Sequence, residues 1–243
     1  MKYFVSFSVL TFLFLSCSNA DKKIQQRSIA KFDPFDTSSK APFKDYNKAI
    51  ALDSNNAIAY IGRAIEKYVD TDYTGALNDY NRAVRIKPND AYALNGRGMV
   101  LVQLNEYDKA LADLNAAIEI NNKLPQAFFY RSLAKSKLKD YDGSLADVTS
   151  AIELGYDKAK AYEQKGWLEY HLDKYEEAIN DCTTALAKDS LSQPSYLNRA
   201  GAKYMLKDYQ SALDDYNKCI SINPKNADAY TGRGMVLAKL GKK

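Results

Sequence analysis

Histidine occurs once in this chain, at His171, and tryptophan once, at Trp167, among 243 residues. A single imidazole cannot build a multi-histidine metal site, and a surface position is the plain reading for it. Cysteine occurs three times, at Cys17, Cys182 and Cys219. With so few, Cys182 and Cys219 read as buried thiols rather than a disulfide or zinc site. Proline (6) and glycine (11) are scarce, so few chain breakers interrupt a helical pattern. Neither sign of charge dominates: 34 basic residues face 30 acidic ones, for a net +4. The signs alternate, as in KDYDGSLAD at 139–147, which fits a solvated helical surface and not a nucleic-acid footprint. No catalytic constellation is present, because the carboxylates recur at intervals rather than cluster. These features point to a non-enzymatic chain with no metal and no cofactor.

The one long apolar run lies at the N-terminus, MKYFVSFSVLTFLFLSCSNADKK. Lys2 supplies a short positive start, and 3–15 is too short to span a membrane comfortably but suits a signal segment. The run ends in Leu15-Ser16-Cys17, which resembles a relaxed bacterial lipoprotein signal. Ser16 fits that pattern; Phe14 and Leu15 depart from its strict form. The resemblance implies a signal peptide over 1–17, a lipid on Cys17, and a protein anchored in the bacterial cell envelope at the outer membrane. The competing reading is cleavage after Ser18-Asn19-Ala20, which would leave a secreted or periplasmic soluble protein. Residues 18–41 are polar and irregular and read as a tether.

What the chain does have is a period. GRGMVL stands at 96–101 and again at 232–237. The separation is 232 − 96 = 136, or 4 × 34. Blocks of 34 beginning at Ala57, Ala91, Pro125, Ala159 and Gln193, with a shortened one at Ala227, align without gaps. Position 8 is always small (Ala64, Gly98, Ser132, Gly166, Ala200, Gly234) and position 17 is always Tyr (Tyr73, Tyr107, Tyr141, Tyr175, Tyr209). Positions 20 and 27 are small, and position 16 is acidic except at Lys174. Helical spacing of apolar residues predicts one helix over positions 1–14 and a second over 18–31, with the acid facing the second helix's N-terminus. The glycines of GRGMVL thus occupy packing slots; the following Gly and Lys of a phosphate cradle are missing. A second regularity pairs position 7 with position 23: Arg63 with Asp79, Arg97 with Asp113, Arg131 with Asp147, Arg199 with Asp215. Matched recurrence favours structural ion pairs; the other reading is an arginine ladder that grips acidic ligands.

This pattern resembles the tetratricopeptide repeat (TPR) family, whose 34-residue hairpins have small residues at 8, 20 and 27, an aromatic near 17 and often Pro at 32, here met by Pro88 and Pro224. The resemblance implies an all-α, right-handed superhelix of stacked helix–turn–helix repeats. It divides the chain into a half-repeat helix at 42–56, five repeats over 57–226, and the first helix of a shortened sixth repeat at 227–243. A pentatricopeptide array differs in period and in its more basic surface.

In the family, first-helix residues line a concave groove. Carried over, the groove holds Ile58 and Ile61; Tyr92, Asn95 and Met99; Phe129; Glu163, Trp167 and Tyr170; and Leu197 and Tyr204. Some of these, above all at positions 9 and 12, could instead pack against the neighbouring repeat. Apolar residues stand where chaperone-binding members carry a Lys/Asn/Arg clamp, so the groove suits a partner peptide or amphipathic helix. Phe129, Trp167 and Tyr170 are the expected anchors. The expected function is a protein-interaction scaffold of the envelope. The alternative is a binder of glycan or cell-wall fragments through the Tyr/Trp surface. In the sixth block Tyr230, Val236, Leu237 and Leu240 lack a following helix, so self-association through this C-terminal helix is also expected.

Overall fold

The computed structural model describes residues 46–242, which form twelve α-helices and no strand among the described residues. The signal segment with Cys17, the tether over 18–41 and the first residues of the half-repeat lie outside them. The chain falls into two compact units, one ending at Glu106 and one beginning at Tyr107. The first unit contains α1 (Tyr46–Leu52), α2 (Ala57–Val69), α3 (Tyr73–Ile86) and α4 (Ala91–Gln103). The second contains α5 (Tyr107–Ile120), α6 (Pro125–Lys137), α7 (Tyr141–Glu153), α8 (Ala159–His171), α9 (Tyr175–Lys188), α10 (Gln193–Met205), α11 (Tyr209–Ile222) and α12 (Ala227–Lys239).

The even-numbered helices begin at the block starts, and most have a reason to. Asn56, Asp90, Ser192 and Asn226 accept hydrogen bonds from first-turn amides. Pro125 opens α6, where its missing N–H costs nothing. Asp72, Asp140 and Asp208 cap α3, α7 and α11, while Lys174 gives α9 no side-chain cap. The second helices start at position 17, one residue before the spacing predicts; at α3, α7 and α11 the acid at position 16 is itself the cap. The first helices end at position 13, and position 15 turns the chain. Thr71, Asn105, Lys139, Asp173 and Lys207 all stand there in the left-handed region, with φ between 60° and 66°. The next amide then closes back onto position 11: Asp72 onto Lys67 at 2.8 Å, Asp140 onto Lys135 at 3.0 Å, Asp208 onto Lys203 at 2.9 Å.

Small residues let the two helices of a hairpin approach. Ala64, Ala76 and Ala83 are fully buried in the first unit, as are Ala200, Ala212 and Cys219 in the second. Where both small positions are serine, the hydroxyls of Ser132 and Ser144 pair at 2.9 Å and the Ser144 hydroxyl also donates to the Ser132 carbonyl. The close approach therefore leaves no unsatisfied polar group there.

Successive hairpins meet at a second seam, between position 24 of one block and position 6 of the next. Tyr46, Tyr80 and Tyr216 face Gly62, Gly96 and Gly232, and a Cβ on any of these glycines would lie 2.1–2.3 Å from a tyrosine ring carbon. Where position 24 is smaller, at Leu114, Val148 and Cys182, position 6 is larger: Tyr130, Gln164 and Asn198. Bulk given up on one side is restored on the other, which keeps the interior close-packed. In the last helix, Val236 is fully buried in a cluster with Ala200, Leu213, Tyr216 and Ala229, and Leu237 and Leu240 pack against it. The expectation that these three lack cover is therefore corrected: α10 and α11 supply it. Tyr230 and Met235 remain exposed.

Candidate partner-binding face

The recurring charges divide cleanly from the groove. Arg63 holds Asp79 with two donors, Nε to Oδ2 at 2.8 Å and Nη2 to Oδ1 at 2.6 Å. Arg131 grips Asp147 with the same two distances, and Arg199 grips Asp215 at 2.9 and 2.7 Å. All three aspartates are buried. The third guanidinium nitrogen crosses to the preceding repeat: Arg63 to Asn47 at 2.7 Å, Arg131 to Asn115 at 2.8 Å, Arg199 to Thr183 at 2.9 Å. Arg97 reaches Asn81 in the same way at 3.2 Å, and Asp113 is buried on α5. Several guanidiniums also lie over an aromatic three residues earlier, such as Arg131 over Phe128 and Arg199 over Tyr196. With its donors so engaged, the ladder links repeats and has little left to offer an acidic ligand. Burial alone would raise the Asp79 carboxyl, but Arg63 and Lys67 hold it below its ordinary value. Its stabilisation is present above pH 3.8 and is lost as the pH falls through the depressed folded value.

The groove residues separate into a buried set and a half-buried set. Ile58, Ile61 and Met99 are buried in the first unit, so they form floor and not contact surface. Phe129 is also buried, which corrects its role as an anchor. Its ring stacks on Tyr156 at 4.7 Å, and Tyr156 stands at position 32, where Pro88 and Pro224 stand in other repeats. Tyr92 and Asn95 are half-buried in the first unit, and the Asn95 side-chain oxygen is enclosed without a hydrogen-bond donor.

In the second unit Trp167, Tyr170, Leu197 and Tyr204 are half-buried, and Met205 is exposed. Trp167 lies 4.1 Å from His171, and Tyr141 meets Trp167 edge-on at 5.6 Å. Tyr170 and Tyr204 each lean on the tyrosine five residues on, Tyr175 and Tyr209, at 6.0 and 5.6 Å. The Tyr170 ring also lies over Gly201, where a Cβ would come within 3.1 Å. The rings are therefore fixed in place with one side open, the state of a preorganised contact surface. Burial lowers the His171 pKa, which favours its neutral ring beside Trp167 at neutral pH. Glu163 stands at the edge, ion-paired to Lys160 at 2.8 Å and accepting from the Ser192 hydroxyl at 2.6 Å. Burial pushes the Cys182 thiol up to about 12, leaving it inert at neutral pH. Among the described residues no cluster of three His, Cys, Asp or Glu side chains is placed to hold a metal.

Residues 69–135 match the tetratricopeptide repeat family model, and residues 200–241 match a TPR repeat model. Within both stretches the chain carries tetratricopeptide repeats. No curated protein matches its sequence. Among solved structures it is similar to YrrB, a TPR protein described with an unusual peptide-binding site. That match has 22% identity and a TM-score of 0.65 over 79% of this chain and 98% of YrrB. It is also similar to pilF of Pseudomonas aeruginosa, at 16% identity and a TM-score of 0.70, over 78% of this chain and 86% of that one. A thermophilic TPR protein of Thermus thermophilus matches at 18% identity with a TM-score of 0.56, over 75% of this chain and 99% of that one. At these identities the likeness establishes the fold, an all-α TPR solenoid. TPR hairpins as a class mediate protein–protein interaction; in this chain α8 and α10 carry the half-open apolar surface.

Proposed function

We propose that the chain is a non-catalytic protein-interaction scaffold of the bacterial cell envelope that captures a partner peptide or amphipathic helix on the aromatic face of its fourth and fifth repeats. The observation that carries this reading is the open set Trp167, Tyr170, Leu197, Tyr204 and Met205, held by packing yet not covered within its unit. Amphipathic aromatic rings with few rotamers are favoured contact residues, because little entropy is lost when they are engaged. YrrB, described with an unusual peptide-binding site, supports peptide capture by similarity of fold.

The test is capture from envelope membranes with the mature protein, followed by peptide titration monitored through Trp167. Wild type is expected to retain a partner that Trp167→Ala and Tyr204→Ala lose by tenfold or more in affinity. Equal retention by the variants overturns the groove reading. Quenching of Trp167 by cell-wall saccharide and not by peptide would transfer the site to the glycan reading.

The envelope part rests on Lys2, the apolar run over 3–15 and Cys17. Cys17→Ser is expected to abolish incorporation of a fatty-acid probe and release the protein from membranes; unchanged labelling contradicts the anchor. Self-association through α12 would use the exposed Tyr230 and Met235, and light scattering at two concentrations decides it.

A further inference from the structure

Three repeats share one charge arrangement. Arg63 and Lys67 converge on Asp79, Arg131 and Lys135 on Asp147, and Arg199 and Lys203 on Asp215; the lysine contacts are 2.8, 2.8 and 2.7 Å. In each, two cations face one buried anion. The lysine stands at position 11, and in two repeats it also donates to a carbonyl of the facing helix, Lys67 to Gly75 and Lys135 to Gly143. The fourth repeat keeps the acid, Asp181, and a cation, Lys165, but its position 11 is Glu169. Here one cation faces two anions. Lys165 Nζ lies 2.5 Å from Asp181 Oδ2 and 3.2 Å from Glu169 Oε1, so its stronger bond goes to Asp181. Glu169 is only 3% exposed, and its Oε2 is enclosed with no donor against it.

An enclosed carboxylate oxygen that lacks a donor, beside a second carboxylate, is unfavourable as a charge and favourable as an acid. A carboxylic acid at that position can donate where the other repeats' lysine donates; a carboxylate cannot. We propose that Glu169 is held as a protonated acid hydrogen-bonded to Asp181, and that the α8–α9 hairpin is a proton-sensing joint, closed while the proton is present and loosened when it leaves. The proposal stands independently of any partner.

The surroundings agree with it. Burial first, and then Asp181, raise Glu169 from 4.5 to about 7, against the pull of Lys165. Besides Asp181, α9 contributes Cys182, whose thiol stays protonated. On α10, Arg199 and Lys203 are both engaged by Asp215. On α6 and α7, Arg131, Lys135 and Asp147 are engaged with one another. On α8 itself Glu163 is paired with Lys160. Burial lowers the His171 pKa, which favours its neutral ring. The sign follows from the raised value. Between pH 4.5 and 7 the folded hairpin binds the proton and the unfolded one does not, so stability falls as pH rises through about 7.

The decisive measurement is the carboxyl-carbon NMR titration of Glu169 in the full chain, with hydrogen exchange of α8 and α9 amides corrected for intrinsic rates. A midpoint near pH 7 is expected, with opening of the hairpin rising on the order of a hundredfold between pH 5 and 8. Glu169→Gln, which cannot ionise, and Glu169→Lys, which restores the two-cation arrangement, should both flatten that rise. His171→Gln should leave it. A Glu169 midpoint below about 5 overturns the proposal. So does an unchanged pH response in Glu169→Gln, or its loss in His171→Gln. If a variant fails to fold, the wild-type titration decides alone.

Discussion

Two residue pairs set the terms of this structure, one by charge and one by bulk. Arg131 and Asp147 are joined by two hydrogen bonds at 2.6 and 2.8 Å with the aspartate buried. A double-mutant cycle with Arg131→Ala and Asp147→Ala should give a coupling of about 1–3 kcal/mol in urea denaturation, since each single change strands a partly buried charge. Strict additivity would remove the pair from the account of stability. Gly96 is the bulk case, for its Cβ would sit 2.3 Å from the Tyr80 ring. Gly96→Ala should cost about 1–3 kcal/mol through overpacking, despite alanine's better helix propensity, and Tyr80→Leu should recover much of it. A thermal melt of the three variants checks both steps. The Arg–Asp recurrence was legible in the sequence because spacing alone carries it. The Asn47, Asn115 and Thr183 acceptors were not, because a polar residue on a helix face does not announce its partner. Glu169 was readable only as an odd residue at position 11; that it faces Asp181 takes the fold to see. Phe129 shows the same limit, since its burial depends on Tyr156 stacking from a position that proline occupies elsewhere.

At the scale of the helix, the starts were legible and the turns were not. Block starts coincide with the first residues of α2, α4, α6, α8, α10 and α12 because Asn, Asp, Ser and Pro mark them or the apolar period begins there. The left-handed residue at position 15 left little trace, for Thr71, Lys139 and Lys207 are not residues that favour that region, and only Asn105 and Asp173 are. The backbone closure that follows fixes the conformation whatever the side chain. Lys207→Gly should therefore stabilise the α10–α11 hairpin by about 0.5–1 kcal/mol, because glycine adopts positive φ without a Cβ penalty. The neighbouring lapse is at Lys174, which opens α9 with no side-chain cap and with a charge opposed to the helix dipole. Lys174→Asp should raise stability by about 1 kcal/mol, measured as a higher urea midpoint at unchanged m-value. No gain would mean that Lys174 has a compensating role on the surface.

For the whole molecule, stability in such a chain is close to a sum of repeat and seam terms, so each seam can be judged by itself. The candidate face was legible as a set of first-helix positions, which the resemblance to tetratricopeptide repeats implied and the period numbered. Which of them stay open depends on burial by neighbours, which separated Trp167, Tyr170 and Tyr204 from Ile58, Met99 and Phe129. The position-24 and position-6 seam limits how the gene for such a protein could lengthen or shuffle. A block with Gly at position 6 makes room for Tyr in the block before it, as Gly62, Gly96 and Gly232 do, whereas Tyr130 stands behind the smaller Leu114. Replacing 91–124 by a second copy of 125–158 would press a tyrosine against Tyr80 and set the original Tyr130 behind a valine; the chimera should melt several degrees lower, and Tyr80→Leu should recover the part due to the clash. Repeats here are thus inherited as keyed neighbours: the block 57–90, with Gly62 and Tyr80, can follow a copy of itself, while a copy of 125–158 set behind Tyr80 demands a compensating change next door.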